Sequence, residues 1–279
     1  TGAMKYLGSI RGVLERASAR ETAVRVAAGA LAKQLLAQFG ITAFGYVVEL
    51  GGERIEPVDA PLAKLREIRD QSEVYGLNLD RDAAIKQLID AAGKDGDTLG
   101  GIVEVRVDGL PFGLGTHAQW DRKLDGRLAQ AVMAVQAIKG VEIGLGFEAA
   151  RRRGSKVHDP IQYDESQRDT PNLGFVRPTN NAGGLEAGMT NAQPLVIRAG
   201  KKPISTLAKP LESINLETKQ KQEASYERSD VCAVSAASVI VENVVAFEVA
   251  CALTDKFGGD SLPEMRARYE LYLEMARER

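Results

Sequence analysis

The stretch VCAVSAASVIVENVVAFEVACAL, residues 231–253, limits the fold more than any other part of the chain. A helix apolar on all sides belongs in a protein core or in a bilayer. Glu242, Asn243 and Glu248 interrupt this stretch, and such groups are costly in a bilayer. It therefore reads as a core helix, opened by Ser229 or Asp230 as a helix cap and stopped at Gly258-Gly259.

A chain of 279 residues is long enough to bury a sizeable core around such a helix. No fixed-period repeat and no linker divides it, so residues 1–279 read as one domain. Apolar content of 44% beside 27% charged residues is ordinary for a globular protein. The net charge of −2 leaves no footprint for nucleic acid or an anionic membrane, so any anion binding is local. Cys232 and Cys251 have no metal-like spacing and read as buried free thiols of a reducing compartment. His117 and His158 sit in dissimilar loops, which argues against a histidine metal site. With no apolar signal segment near Thr1, a cytoplasmic location is expected. Thr1-Gly2-Ala3-Met4 is not a natural initiation, and the chain reads as the later part of something longer.

Ser18 and Glu21 have capping-box spacing at the start of a helix along which Val24, Ala27, Ala28, Leu31 and Leu35 recur, with Gly40 as its stop. GITAFGYVVEL reads as a strand, and Arg81 to Ala92 as a helix ended by Gly93. Val103, Val105 and Val107 alternate with charged neighbours, the pattern of a strand buried on one face. A small-residue helix is expected to run to Ile138, with Gly140 as stop and a strand through Ile143 and Leu145. Residues 151–171 have few apolar anchors and read as a loop; SLPEMRARYELYLEMARER reads as an amphipathic helix. Antiparallel strands packed on alanine-rich helices make an α+β fold.

Four polar segments exceed what stability requires. Arg16 and Arg20 flank a helix start, where the dipole prefers anions, so an anion docked there would account for them; two solvated arginines are the plainer reading. Asn180 to Gly184, continuing to Asn191, could bring backbone close to a ligand or form a tight turn. Lys202, Pro203, Ile204, Ser205 and Thr206 could grip a phosphate or leave an edge strand. Arg228-Ser229-Asp230 places another cation beside a helix start. There is no Walker loop, no GxGxxG between strand and helix and no GxSxG.

Six collinear stretches carry a resemblance: RASARETAVRVAAGA, GDTLGGIVEVRVDGLPFGLG, AVQAIKGVEIGLGF, GSKVHD, TNNAGGLEAGMTNAQPLVIRAGKKPIST and ERSDVCAVSAASVIVENVVAFEVA. Together they identify the chain as similar to chorismate synthase. The resemblance implies a helical layer between two antiparallel sheets, a homotetramer, and a lyase that acts on 5-enolpyruvylshikimate 3-phosphate. The family's reaction is an anti-1,4-elimination to chorismate and phosphate, the last common step toward aromatic amino acids, and it needs reduced FMN. The resemblance places the flavin against Arg16, Ala17, Ser18, Gln136, Ala137, Ala187, Lys202, Pro203, Ile204, Ser205, Thr206 and Arg228. Many relatives carry glycine where this chain has Ala187. It places the substrate against Arg20, Ser18 and Arg228, with Asp230 and Ser18 as the catalytic pair.

The family's two histidine motifs, and arginines tied to substrate and reduced nicotinamide nucleotide (NADP), precede the helix that opens here; His117 and His158 do not occupy those positions. Three expectations follow: a chorismate synthase lacking its N-terminal part, a flavin-dependent oxidoreductase of other chemistry, or a flavin-binding or assembly module without activity of its own.

Overall fold

The computed structural model describes all 279 residues. Its helices are α1 (Gly2–Tyr6), α2 (Arg11–Ala17), α3 (Thr22–Ala37), α4 (Leu62–Gln71), α5 (Asp82–Lys94), α6 (Leu124–Met133), α7 (Val234–Phe257) and α8 (Leu262–Arg277). The longer strands are β1 (Thr42–Leu50), β3 (Gly101–Asp108), β5 (Ile138–Ile143) and β10 (Leu195–Lys201). Shorter ones are β2 (Glu53–Arg54), β4 (Phe112–Gly115), β6 (Gln162–Tyr163), β7 (Phe175–Val176), β8 (Leu185–Glu186), β9 (Met189–Asn191), β11 (Glu212–Ile214) and β12 (Lys221–Glu223).

The main sheet has the order β2-β1-β3-β10-β5, and every pairing in it is antiparallel. Alternation decides which face is buried. Val103, Val105 and Val107 of β3 and Leu195, Ile197 and Ala199 of β10 are sealed on one face, while Glu104 and Arg198 pair on the other. The buried face packs on α7, which also lies against α3, α6 and β4 of a second, three-stranded sheet ordered β4-β9-β8. The fold is thus α+β, with helices layered on antiparallel sheets, and 38 buried residues form its main core cluster.

Both carboxylates that interrupt α7 have structural partners. Glu242 accepts hydrogen bonds from Gly45 N of β1 at 2.8 Å and from Arg69 Nη1 of α4 at 2.9 Å. It also pairs with Lys33 of α3. Asn243 meets α3 at Gly29, where a Cβ would lie 2.3 Å from the Asn243 carbonyl oxygen. A Cβ on Gly45 would likewise lie 2.6 Å from Ser238 O, so both elements approach α7 with backbone only. Glu248 pairs with Arg127 of α6 at 3.1 Å, and Asp255 reaches the same guanidinium at 3.0 Å. α7 is long and apolar enough to cross a membrane, yet most of it is buried inside the protein.

Several local expectations are corrected. α7 begins at Val234 with Ala233 as its cap residue, so neither Ser229 nor Asp230 caps it. The preceding residues are held extended instead, because Leu99 N donates to Val231 O at 2.9 Å. Ser18 accepts from Arg20 N, but Glu21 does not reach back to complete the box, since Arg25 and Gln136 occupy its carboxylate. Val24 and Leu31 stay exposed; Thr22, Gly29, Ala32 and Leu36 form the buried side of α3. α6 ends at Met133, and Gly140 pairs with Gly200 inside the sheet instead of stopping a helix. Gly93 remains within α5. Residues 151–171 hold two short 3-10 turns and β6. Both cysteines are free, but each is only half-buried.

Two substitutions on α7 separate a buried ion pair from a partly exposed one. Glu242→Ala leaves the buried Gly45 amide without its acceptor and Arg69 with only Asp70 and the Gly45 carbonyl, and is expected to cost about 3 kcal/mol in urea unfolding. Glu248→Ala opens a partly exposed pair whose arginine keeps Asp255, and is expected to cost about 1 kcal/mol in the same assay.

Candidate functional site

The end of α6 turns sharply before entering the sheet. Ala137 takes a left-handed conformation, φ +68°, and its carbonyl accepts from Lys202 N at 2.9 Å. That bond joins the Gln136-Ala137 turn to Lys202–Thr206, the segment that follows β10. On its other side, Gln136 Nε2 donates to Glu21 Oε1 at 2.7 Å, which brings in the Arg16–Arg20 segment ahead of α3. Ser229 Oγ donates to Thr206 O at 3.2 Å and draws Arg228 and Asp230 to the far end. Thr98 Oγ1 anchors Ile204 through its carbonyl at 2.6 Å. Four segments distant in sequence are therefore linked by hydrogen bonds.

Arg16, Arg20, Lys202, Arg228 and Asp230 are exposed. Arg16, Arg20, Lys202 and Arg228 form no ion pair within the chain, whereas many of its other surface cations are paired with carboxylates. Lys202 and Pro203 border a groove of about 480 Å³, floored by glycines 51, 52, 100, 101, 140 and 200. That size suits a small organic ligand, and a glycine floor lets it lie against backbone. Burial pushes the amine of the neighbouring Lys201 below its ordinary value, with the Cys232 thiol close by and itself pushed up by burial. Arg16 and Ala17 line a different cavity, about 630 Å³, between α1 and α2.

Ala187 is not with the rest. Its hairpin, β8–β9, meets the start of α6, where Leu124 N donates to Gly188 O at 3.0 Å. The ten residues of α6, about 15 Å of helix, separate it from Gln136-Ala137. A residue that composition does not mark holds this hairpin's approach. Asp159 Oδ1 accepts from Thr179 Oγ1 at 2.6 Å and Asn181 N at 2.8 Å, and Oδ2 from Ala182 N at 2.9 Å. Sequence reasoning passed over Asp159 because its partners lie about twenty residues away. Its position in GSKVHD was the one available signal. His117 and His158 are exposed, in separate loops.

Burial opposes ionisation of Asp159, but the Thr179, Ala182 and Asn181 hydrogen bonds outweigh it and hold the carboxyl below its ordinary range. A depressed native value contributes stability above the unfolded pKa, and that contribution is lost as pH falls through the native one. Asp159→Asn is therefore expected to lower the melting temperature at pH 7. The gap from wild type should close as pH drops below about 4, measured by thermal denaturation across pH.

The family model described as chorismate synthase matches residues 1–254. A chorismate synthase of Geobacter sulfurreducens is 56% identical over 278 residues, covering 99% of this chain and 71% of the relative. One of Bacillus cytotoxicus is 52% identical over 279 residues, covering 99% and 70%. A solved structure titled "Crystal Structure of Chorismate Synthase" superposes with TM-score 0.83 at 41% identity, over 100% of this chain and 76% of that one. Matched in sequence along its length and in fold throughout, the chain belongs to the chorismate synthase family of enzymes.

Proposed function

We propose that this chain carries the flavin and part of the substrate site of a cytoplasmic chorismate synthase. That enzyme converts 5-enolpyruvylshikimate 3-phosphate to chorismate and phosphate by anti-1,4-elimination. Family membership supports the reaction. The observation that carries the site is the hydrogen-bonded run of four segments from Arg16–Glu21 through Gln136-Ala137 and Lys202–Thr206 to Arg228–Asp230. The residues fit FMN on two counts: cations without internal partners suit its phosphate, and the buried, unpartnered Oε1 of Gln136 awaits a donor.

In this reading Arg16, Ala17, Ser18, Gln136, Ala137, Lys202–Thr206 and Arg228 hold the flavin. Reduced FMN, when bound, supplies an electron transiently and recovers it. Arg20 and Arg228 draw in the substrate's phosphate and carboxylates by charge, with the Ser18 hydroxyl donating beside Arg20. The Asp230 carboxylate is the acid-base partner near the flavin ring that helps remove the ring proton; it is exposed and free of ion pairs, so its oxygens are available. Ala187, about 15 Å along α6 from Ala137, would meet the opposite end of the flavin, and the chain is expected to assemble as a homotetramer.

FMN is expected to bind weakly alone and more tightly with 5-enolpyruvylshikimate 3-phosphate present, read by flavin fluorescence; no quenching in either case removes the site. Asp230→Asn, in a chain that includes the family's two histidine motifs, should lower turnover about a hundredfold. Flavin affinity and melting temperature should hold, because Asp230 caps no helix. Unchanged turnover would take Asp230 out of the chemistry, and flavin binding without turnover would favour a binding module.

A further inference from the structure

Glu21 lies at the centre of the site's first junction, yet the proposed reaction gives it no role. Its Oε1 accepts from Gln136 Nε2 at 2.7 Å. Arg25 closes on the same carboxylate, Nε to Oε2 at 3.0 Å and Nη2 to Oε1 at 2.9 Å. Hydrogen bonds from Arg25 and Gln136 hold the Glu21 carboxyl below its ordinary value, so it is ionised at neutral pH. An ionised carboxylate only accepts. The Gln136 amide is thereby forced to turn its NH2 toward Glu21 and its oxygen away, and that oxygen is buried with no partner. A buried acceptor left unpaired is unfavourable unless a ligand donates to it. Arg25 meanwhile neutralises Glu21, which keeps a negative charge from facing an anionic ligand.

We propose that Glu21 is a positioning residue. It locks the Gln136 amide in one orientation, so that Oε1 stands as a fixed acceptor for a hydrogen-bond donor of the flavin, its ring imide N–H or a ribityl hydroxyl. This rests on the flavin reading above. It also accounts for the glutamate at capping-box spacing that does not cap: its carboxylate is committed to Gln136 and Arg25.

The test is a double-mutant cycle on the full protein with Glu21→Gln, Gln136→Ala and both together, reading the FMN dissociation constant by fluorescence and the melting temperature alongside. Each single change is expected to weaken FMN roughly tenfold, the loss of one net hydrogen bond. The pair should be no weaker than Gln136→Ala alone. Losses that multiply in the double variant would overturn the role, as would weakening that follows melting temperature alone. A second readout needs no flavin. The Gln136 side-chain amide protons, observed by NMR with 15N-glutamine, should resonate apart from the exposed glutamines in wild type. They should collapse onto them in Glu21→Gln; no change there counts against the lock. N3-methylated FMN names the donor: weakened binding to wild type assigns the imide N–H, and unchanged binding a ribityl hydroxyl. If wild type binds no FMN at all, the flavin reading fails, and the NMR comparison still decides whether Glu21 orients Gln136.

Discussion

The carboxylate of Glu242 holds four elements in one place. It sits on the apolar core helix α7 and receives the Gly45 amide of β1, Arg69 of α4 and Lys33 of α3. A buried charge is tolerated only with such partners. Each of them therefore has a defined position relative to α7. Arg69 spreads the effect further, since its guanidinium also lies 4.8 Å from the centre of the Phe44 ring on the outer face of β1. The glycines at positions 29 and 45 complete the arrangement by letting α3 and β1 come close enough for these bonds to form.

The site is built at the rim of that frame. The main sheet ends where β10 and β5 pair between Lys201 and Ile138, and the left-handed Ala137 bends the chain into Lys202 there. α3 is fixed against α7, so its first turn stands beside that bend and Glu21 can reach Gln136. Displacing α3 on α7 would carry Arg16, Ser18 and Arg20 away from Gln136-Ala137 without altering any of those residues.

Much of this was legible from pattern. The valines of β3 are buried in alternation with their charged neighbours, and the SLPEMRARYELYLEMARER segment forms the helix α8. Helices α3, α5, α6, α7 and α8 were found where apolar spacing and small residues recur, whereas α1, α2 and α4 were not marked that way. Their ends were missed where a long-range bond overrode the local signal. Ser229 and Asp230 had the chemistry of caps, but pairing of Val231 with Leu99 keeps the chain extended to Ala233. Gly140 resembled a stop, but its strand pairs with β10. Val24 and Leu31 matched a helical stripe, but close packing at Gly29 turns the other side of α3 inward.

By itself the sequence determined that α7 is a core helix, that the strands are antiparallel and half-buried, and, through its collinear motifs, which family the chain belongs to. Those properties follow from local periodicity and from residue order, which are written along the chain. The tertiary structure decided which polar groups meet: Glu242 with three partners, Glu21 with Gln136 in place of a cap, Asp159 with the Asn180–Gly184 loop, and Ala187 at the opposite end of α6 from Ala137. A carboxylate at a helix start can cap its own turn or reach across to a neighbour, and only the packing of the neighbour decides which.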